Sequence, residues 1–384
     1  MFDDFEAENE GEDGGAIDAT LAGDPLTLYP ANASTDYWGD DKLEEYLLDL
    51  YNADRLPHGM IFSGVQGIGK ATFAYRLARF LLKESESNDD LSGGGLFGEA
   101  EPMKADTMRI SNEDPVFAQV ESAAHLDFKL VETEFKPKST ERRTIIDVAQ
   151  IRKISDFLRL KSSNENGWRI VLIDDADLMN RNAQNALLKV LEEPPKRTLI
   201  ILICHRLGAM LPTIRSRCQT FAFDPLSDQK ITELIEQINP ALSAAELDLV
   251  LSMSNGSLGR AIELTDEKSF EVISDLQNAL SAWPKLDWPS LHMLADRLAM
   301  NKDDVTRPTF KNYMFWLFSE CIKTKVNRSF LSDQWLKDMT AQYDVKQLLE
   351  LQDKLKQHFS DCERGSLDRS HYYLGAFFML PTAK

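Results

Sequence analysis

Gly64, Gly67, Gly69 and Lys70, within GVQGIGK, stand at the spacing of a phosphate-binding loop. Glycines let the backbone wrap a polyphosphate with its N–H groups turned inward, and a lysine at the end of the loop reaches the outer phosphates. The next position, where a Ser or Thr hydroxyl would hold magnesium, is Ala71. Thr72 comes one residue late, and on a helix one residue turns the hydroxyl by ~100° away from the metal. Further along, Asp174 and Asp175 close the apolar run of WRIVLIDDADLM. An acid pair in that place coordinates magnesium and activates water; read plainly, it is two exposed acids at a strand end.

These groups need elements to carry them. LEEYLLDLYNADRL from Leu43 repeats Leu47, Leu50 and Tyr51 at helical spacing, MIFSG reads as a short strand, and FAYRLARFLL after the loop reads as a helix. Strand, glycine loop, helix is the start of a phosphate-binding α/β domain. Residues 84–115, which include SGGG, read as a flexible insertion. TIIDVAQIRKISDFLRL predicts a helix over 144–160; Ala183, Ala186, Leu187, Val190 and Leu191 mark one face of another, stopped by Pro194 and Pro195. TLIILIC and the run before Asp174 are continuous apolar strands, the kind that parallel sheets bury on both faces. Beyond Phe223 helical signals dominate. The expected division is an acidic disordered tail over 1–42, an α/β domain over 43–223, a small helical unit over 224–268 and an all-helical domain over 269–384.

Composition narrows the function. The chain of 384 residues carries a net charge of -19, and no Lys or Arg precedes Lys42, whereas 12 Asp and Glu do. That head has the composition of a disordered segment, either a solubilising tail or one that touches a partner. A chain so acidic does not grip DNA over its whole surface. Between Lys136 and Lys161, however, eight Lys or Arg face three Asp or Glu. Cys204, Cys218, Cys321 and Cys362 are widely spaced, so neither a disulfide framework nor zinc is expected. No second ligand lies at useful spacing from His125 or His205, which read as ordinary strand or loop residues. With no apolar run of ~18 residues and no signal-like start, a cytoplasmic chain away from membranes is expected.

NALLKVLEEPP over 185–195, then an apolar strand, then TIRSRC over 213–218, resembles the sequence shared by bacterial clamp-loader subunits and replication factor C, of the AAA+ class. The order of glycine loop, acid strand, LEEPP helix and SRC element matches over roughly 43–223. Within that class the modified nucleotide site followed by RSRC is most similar to the delta-prime family of DNA polymerase III, in a form lacking the four-cysteine zinc module, whose place the acidic Gly-rich insertion takes. The resemblance implies a RecA-like domain, a helical lid and a helical collar that holds subunits together.

It also implies a division of labour. The SRC arginine, Arg217, is offered in trans to the ATP of a neighbouring subunit, unless it serves only as an interface ion pair. AAA+ motors usually carry Glu at the position of Asp175 and a polar sensor at that of Cys204, and here the usual sensor-2 arginine is replaced in register by Gly259, with Arg260 one place on. ATP or ADP with Mg²⁺ is then held weakly, if at all, and hydrolysed little. The implied partners are gamma/tau and delta subunits in a hetero-pentamer, a sliding clamp, and primed DNA, with Arg152 and Lys153 either touching phosphate or forming a solvated helix face. Nucleotidyl transfer belongs to another subunit. The competing reading is a self-sufficient, gamma/tau-like ATPase motor.

Overall fold

The computed structural model describes residues 30–92, 104–134, 145–160, 162–164, 167–301, 303, 305–326, 334–364 and 369–380. The first part of the chain runs α1 (Asp41–Asn52), β1 (Gly59–Ser63), α2 (Lys70–Ser92), α3 (Pro115–Glu121), β2 (Phe128–Val131), α4 (Val148–Arg159), β3 (Arg169–Ile173), α5 (Arg181–Glu192), β4 (Thr198–Cys204), α6 (Pro212–Arg215) and β5 (Gln219–Ala222). The five strands form one parallel sheet in the order β2-β3-β4-β1-β5.

Both faces of this sheet are covered, which explains why its central strands are continuously apolar. Met60, Phe62, Ile170, Leu172, Ile201 and Ile203 pack with α2, whereas Ile61, Val171, Ile173, Ile200 and Leu202 pack with α4 and α5. Alternation along each strand thus feeds two separate cores. Because β3, β4 and β1 are neighbours, the residues just past their carboxyl ends come together: Asp174, His205 and the loop from Gly64. In a parallel sheet that edge is where ligands collect.

The second part is helical: α7 (Asp228–Ile238), α8 (Ala244–Ser254), α9 (Leu258–Leu264), α10 (Glu267–Leu280), α11 (Trp288–Met300), α12 (Thr306–Lys325), α13 (Gln334–Gln342), α14 (Val345–Arg364) and α15 (Arg369–Phe378). One apolar cluster runs from Ile231 to Leu380 without a break at residue 268, and the Ser269 hydroxyl donates to Glu263 O at 2.8 Å. No helix among the described residues is long and apolar enough to cross a membrane.

Three sequence expectations are corrected. Residues 30–42 are not part of a tail. The Arg79 guanidinium, stacked 3.7 Å over Phe117, donates to the carbonyls of Asn32 and Ser34, and Tyr37 packs on Phe73 with ring centroids 4.8 Å apart. The acids there have local work as well: Asp36 pairs with Arg109, and the Asp40 side chain caps α1. The insertion is shorter than expected. Helix α2 runs on to Ser92, held at Ser85, whose hydroxyl donates to Leu81 O and accepts from Trp168 N; by Met108, fully buried, the chain has rejoined the core. Finally, the helix expected from 144 starts at Val148, because Asp147 and Gln150 form a reciprocal capping box. The acidic head over 1–29, the three glycines of SGGG and the basic residues of 135–144 lie outside the described residues.

Candidate functional site

A cavity of about 380 Å³ opens at the carboxyl edge of the sheet, between the loop of residues 64–69, the segment Ala31–Gly39, and helices α7 and α9. The loop is built for close approach. Gly64, Gly67 and Gly69 all take positive φ, at 153°, 79° and 92°, and the last two lie in the region that favours glycine. At Gly67 the constraint is double, since a Cβ there would also run into the Ser257 hydroxyl. That hydroxyl donates to Gln66 O at 2.8 Å, and Gly259 N donates to Gly67 O at 2.8 Å. The start of α9 is therefore tied to the loop backbone to backbone.

Lys70, the first residue of α2, is only 2% exposed. Its ammonium donates to Gly64 O at 2.8 Å and Val65 O at 2.6 Å, so it is folded back on the loop that leads into its own helix. Burial pushes it down to about 8, partly offset by Asp174. Ala71 and Thr72 both line the cavity. The residues fit a phosphate group, through the glycine turn and Lys70. For a divalent cation the oxygen donors are Asp174, Asp175 and Thr72, and Ala71 contributes none.

The acid pair is engaged. Burial, and then the charge of Asp175, raise the Asp174 carboxyl above its ordinary range, while Asp174 Oδ1 accepts from Asp175 N at 2.9 Å. Asp175 sits in the left-handed region, with φ 51° and ψ 44°. Its Oδ1 lies 2.7 Å from His205 Nε2. Two residues on, Asp177 accepts from His205 N and from Arg206 Nε, each at 3.0 Å, and so fixes the start of the loop after β4.

His205 was missed by sequence reasoning. It lines the cavity, whereas Cys204 is fully buried in β4 and contributes its carbonyl, which accepts from Gly64 N at 3.2 Å. The signal existed, in a polar residue directly after a buried parallel strand beside the acid strand, but it needed the strand order to be read. Gly259, already singled out in the sequence, lines the cavity too, as does Glu263. Tyr37 and Trp38, from the supposed tail, complete its apolar side with Ile68, Leu234 and Ile262.

The remaining candidates stand elsewhere. Arg217, after α6, donates through Nη1 to Thr213 O at 3.0 Å and through Nη2 to Glu192 Oε1 at 2.9 Å, and it does not line the cavity. Arg152 and Lys153 are exposed on α4, with Lys153 Nζ 3.6 Å from Glu134 Oε1. His125 is a loop residue whose Nδ1 accepts from Asp127 N at 3.1 Å.

The model of the family described as "DNA polymerase III, delta subunit" matches residues 39–227. The DNA polymerase III subunit delta-prime of Bacillus subtilis is 34% identical over 226 residues, covering 58% of this chain and 58% of that protein. Its namesake in Escherichia coli is 29% identical over 249 residues, covering 64% and 66%. Replication factor C subunit 5 of Mus musculus is 30% identical over 115 residues, covering 29% and 34%. The chain thus spans less than two thirds of the length of each of these relatives. A solved DNA polymerase III gamma subunit-related protein from Thermotoga maritima is similar at 17% identity and a TM-score of 0.33, over 79% of this chain and 96% of that one. The matched segment takes in the glycine loop, the acid strand and the SRC element, and over it this chain is similar to the DNA polymerase III delta-prime proteins.

Proposed function

We propose that this chain is a stator-like clamp-loader subunit that braces ATPase subunits of the gamma/tau kind, together with a delta subunit, in a hetero-pentamer that places a sliding clamp on primed DNA. The observation that carries the reading is a pairing of opposites. The groups a cis site needs for hydrolysis are each occupied within the chain: Lys70 by Gly64 O and Val65 O, Asp175 by His205. The SRC arginine lies outside that cavity, on the surface. An arginine so placed has no access to its own chain's nucleotide and serves one held by a neighbour, where an always-charged guanidinium stabilises charge developing on a transferring phosphoryl group. Arg152 and Lys153 add phosphate contacts to DNA held by the assembled ring.

The cis cavity retains a role in binding. Its glycine turn and Lys70 would hold the phosphates of ATP or ADP, with Asp174 and, once freed from His205, Asp175 toward magnesium, and the bound nucleotide would supply charge for these groups to organise. Asp175 is shorter by one CH₂ than the Glu of motor subunits and is held by His205, which leaves it badly placed to orient a water. His205→Ala is expected to strengthen Mg²⁺-dependent binding of ADP about tenfold, because a charge-assisted hydrogen bond of roughly 1.5–3 kcal/mol no longer occupies the carboxylate. A fluorescent-nucleotide titration against Mg²⁺ reads this directly; unchanged affinity would show that His205 does not restrain Asp175.

The intact Lys70 and acid pair favour a second reading, a self-sufficient motor. Steady-state ATP turnover separates the two. The purified chain is expected to run ~100-fold or more below the reconstituted complex. Lys70→Ala in this chain is expected to leave the complex within about twofold of wild type, since the neighbours do the hydrolysis. Robust turnover by the chain alone, abolished by Lys70→Ala, would establish the motor. The mass of the reconstituted complex shows whether the chain joins it at all.

A further inference from the structure

Arg217 and Glu192 are 25 residues apart, yet the core sets them side by side. Leu191, which precedes Glu192, is 2% exposed, and Cys218, which follows Arg217, is 8% exposed. Both pack at Gly59, the first residue of β1. A Cβ added there would come within 2.9 Å of Cys218 Sγ, 3.2 Å of Leu191 Cδ2 and 3.5 Å of the Arg217 carbonyl oxygen. Two exposed charged side chains are thus carried by buried neighbours that meet the same backbone point of the sheet. Close packing of that kind transmits little slack to the residues above it.

Glu192 is an odd choice for the end of α5. A carboxylate on the last residue faces unpaired carbonyls and the negative end of the helix dipole, where a cation is the favourable group. Here the cation is supplied from the SRC element. Thr213 O and Glu192 Oε1 each take one N–H from a different Nη of Arg217. Five N–H donors belong to a guanidinium, so this anchoring uses two and leaves three for another acceptor. The pair is open to solvent, with side chains 36% and 51% exposed, so water screens it and its contribution to the stability of the fold is small.

We infer that Glu192 is a positioning residue for Arg217, holding the guanidinium with Thr213 O in the one orientation that aims its remaining donors at the phosphate oxygens of a nucleotide in the adjoining subunit. This rests on the trans-acting reading of Arg217. Glu192 touches no nucleotide in this arrangement and acts only through the arginine. Displacing a reacting or stabilising group by ~1 Å costs up to ~100-fold, so even a partial loss of aim is measurable.

The test uses the loader reconstituted with its motor subunits, clamp and primed DNA, followed through a single turnover of ATP by rapid quench. Glu192→Ala is expected to slow the hydrolysis component that depends on Arg217 by about 5- to 10-fold, with the ATP concentration for half-saturation unchanged. Glu192→Gln keeps an acceptor oxygen at the same reach and is expected to restore most of the loss. In an Arg217→Ala background, Glu192→Ala is expected to add nothing, since two residues acting through one contact are not additive. Faster hydrolysis with Glu192→Ala, an additive loss in the double variant, or a fall in melting temperature that tracks the fall in rate would each overturn the positioning role. Normal hydrolysis with Glu192→Ala alongside a defective Arg217→Ala would overturn it too while sparing the trans arginine. A silent Arg217→Ala would instead remove the reading beneath it.

Discussion

Arg217→Ala in the reconstituted loader is expected to remove one hydrolysis event per complex from the single-turnover burst, by slowing the served site about 10³-fold. Guanidinium groups supplied to a phosphoryl-transfer site are worth ~10³–10⁵ in rate, because they meet charge that develops only in the transition state. The same substitution should leave nucleotide binding to this chain alone unchanged, since Arg217 stands outside the cis cavity. It should also leave the fold intact, because a half-exposed pair such as Arg217–Glu192 contributes ~0–1 kcal/mol. Arg217→Lys is expected to recover little, as an ammonium cannot reproduce a planar fork held at two points. A complete burst at the normal rate with Arg217→Ala would end the trans-acting account and leave the Glu192 contact as an ordinary surface ion pair.

The largest expected loss of stability comes from a residue with no catalytic claim. Arg169 begins β3 with its side chain 7% exposed, and its Nε donates to Asp127 Oδ1 at 3.0 Å, that carboxylate being 4% exposed. Its Nη1 donates to the carbonyls of Phe157 and Leu160 at the end of α4, and the guanidinium stacks 4.3 Å over the Phe157 ring. One side chain thus closes the carboxyl end of a helix, neutralises a buried acid and joins two neighbouring strands. Arg169→Ala leaves Asp127 buried without its cation and is expected to cost about 3–5 kcal/mol, read as a shift in urea midpoint. A loss below about 1 kcal/mol would mean that water or the flanking serines replace the arginine.

The acid dependence follows from the same cluster. Burial alone pushes the Asp127 carboxyl up, but hydrogen bonds from Ser163, Arg169 and Ser162 outweigh it and hold the group below its ordinary range. A carboxyl depressed in the folded state contributes stability that is full above its unfolded value of about 3.9 and is lost as pH falls through the folded value. The wild-type chain is expected to lose this contribution only in acid below about pH 4, and Arg169→Ala to show a flatter dependence there.

Much of the site was legible because it is local in sequence. The glycine loop, Lys70 and the acids after β3 are short strings whose spacing carries their geometry, and the buried strands announced a sheet covered on both faces. What escaped were contacts between distant segments. Asp36 and Asp40 looked like part of an acidic tail because composition counts charge without partners; Arg109 and the α1 backbone supply those partners. Tyr37 fell inside the tail expected over 1–42, and only the fold brings Phe73 and Phe223 to it. His205 had no ligand at useful spacing along the chain, yet strand order places it on Asp175, 30 residues earlier. The limit of α2 was misjudged for a different reason: Ser85 falls at the start of the run whose composition read as a flexible insertion, but its hydroxyl is satisfied twice inside the core.

The bond from Gly259 N to Gly67 O has a mechanical consequence. Gly259 lies in α9, whose Ala261 and Leu264 belong to the apolar cluster that runs from Ile231 to Leu380 among the described residues, so the glycine turn and that cluster are joined through one short helix. A shift in the backbone of that turn is therefore expected to be felt first at α9, and through its packing at the helices beside it.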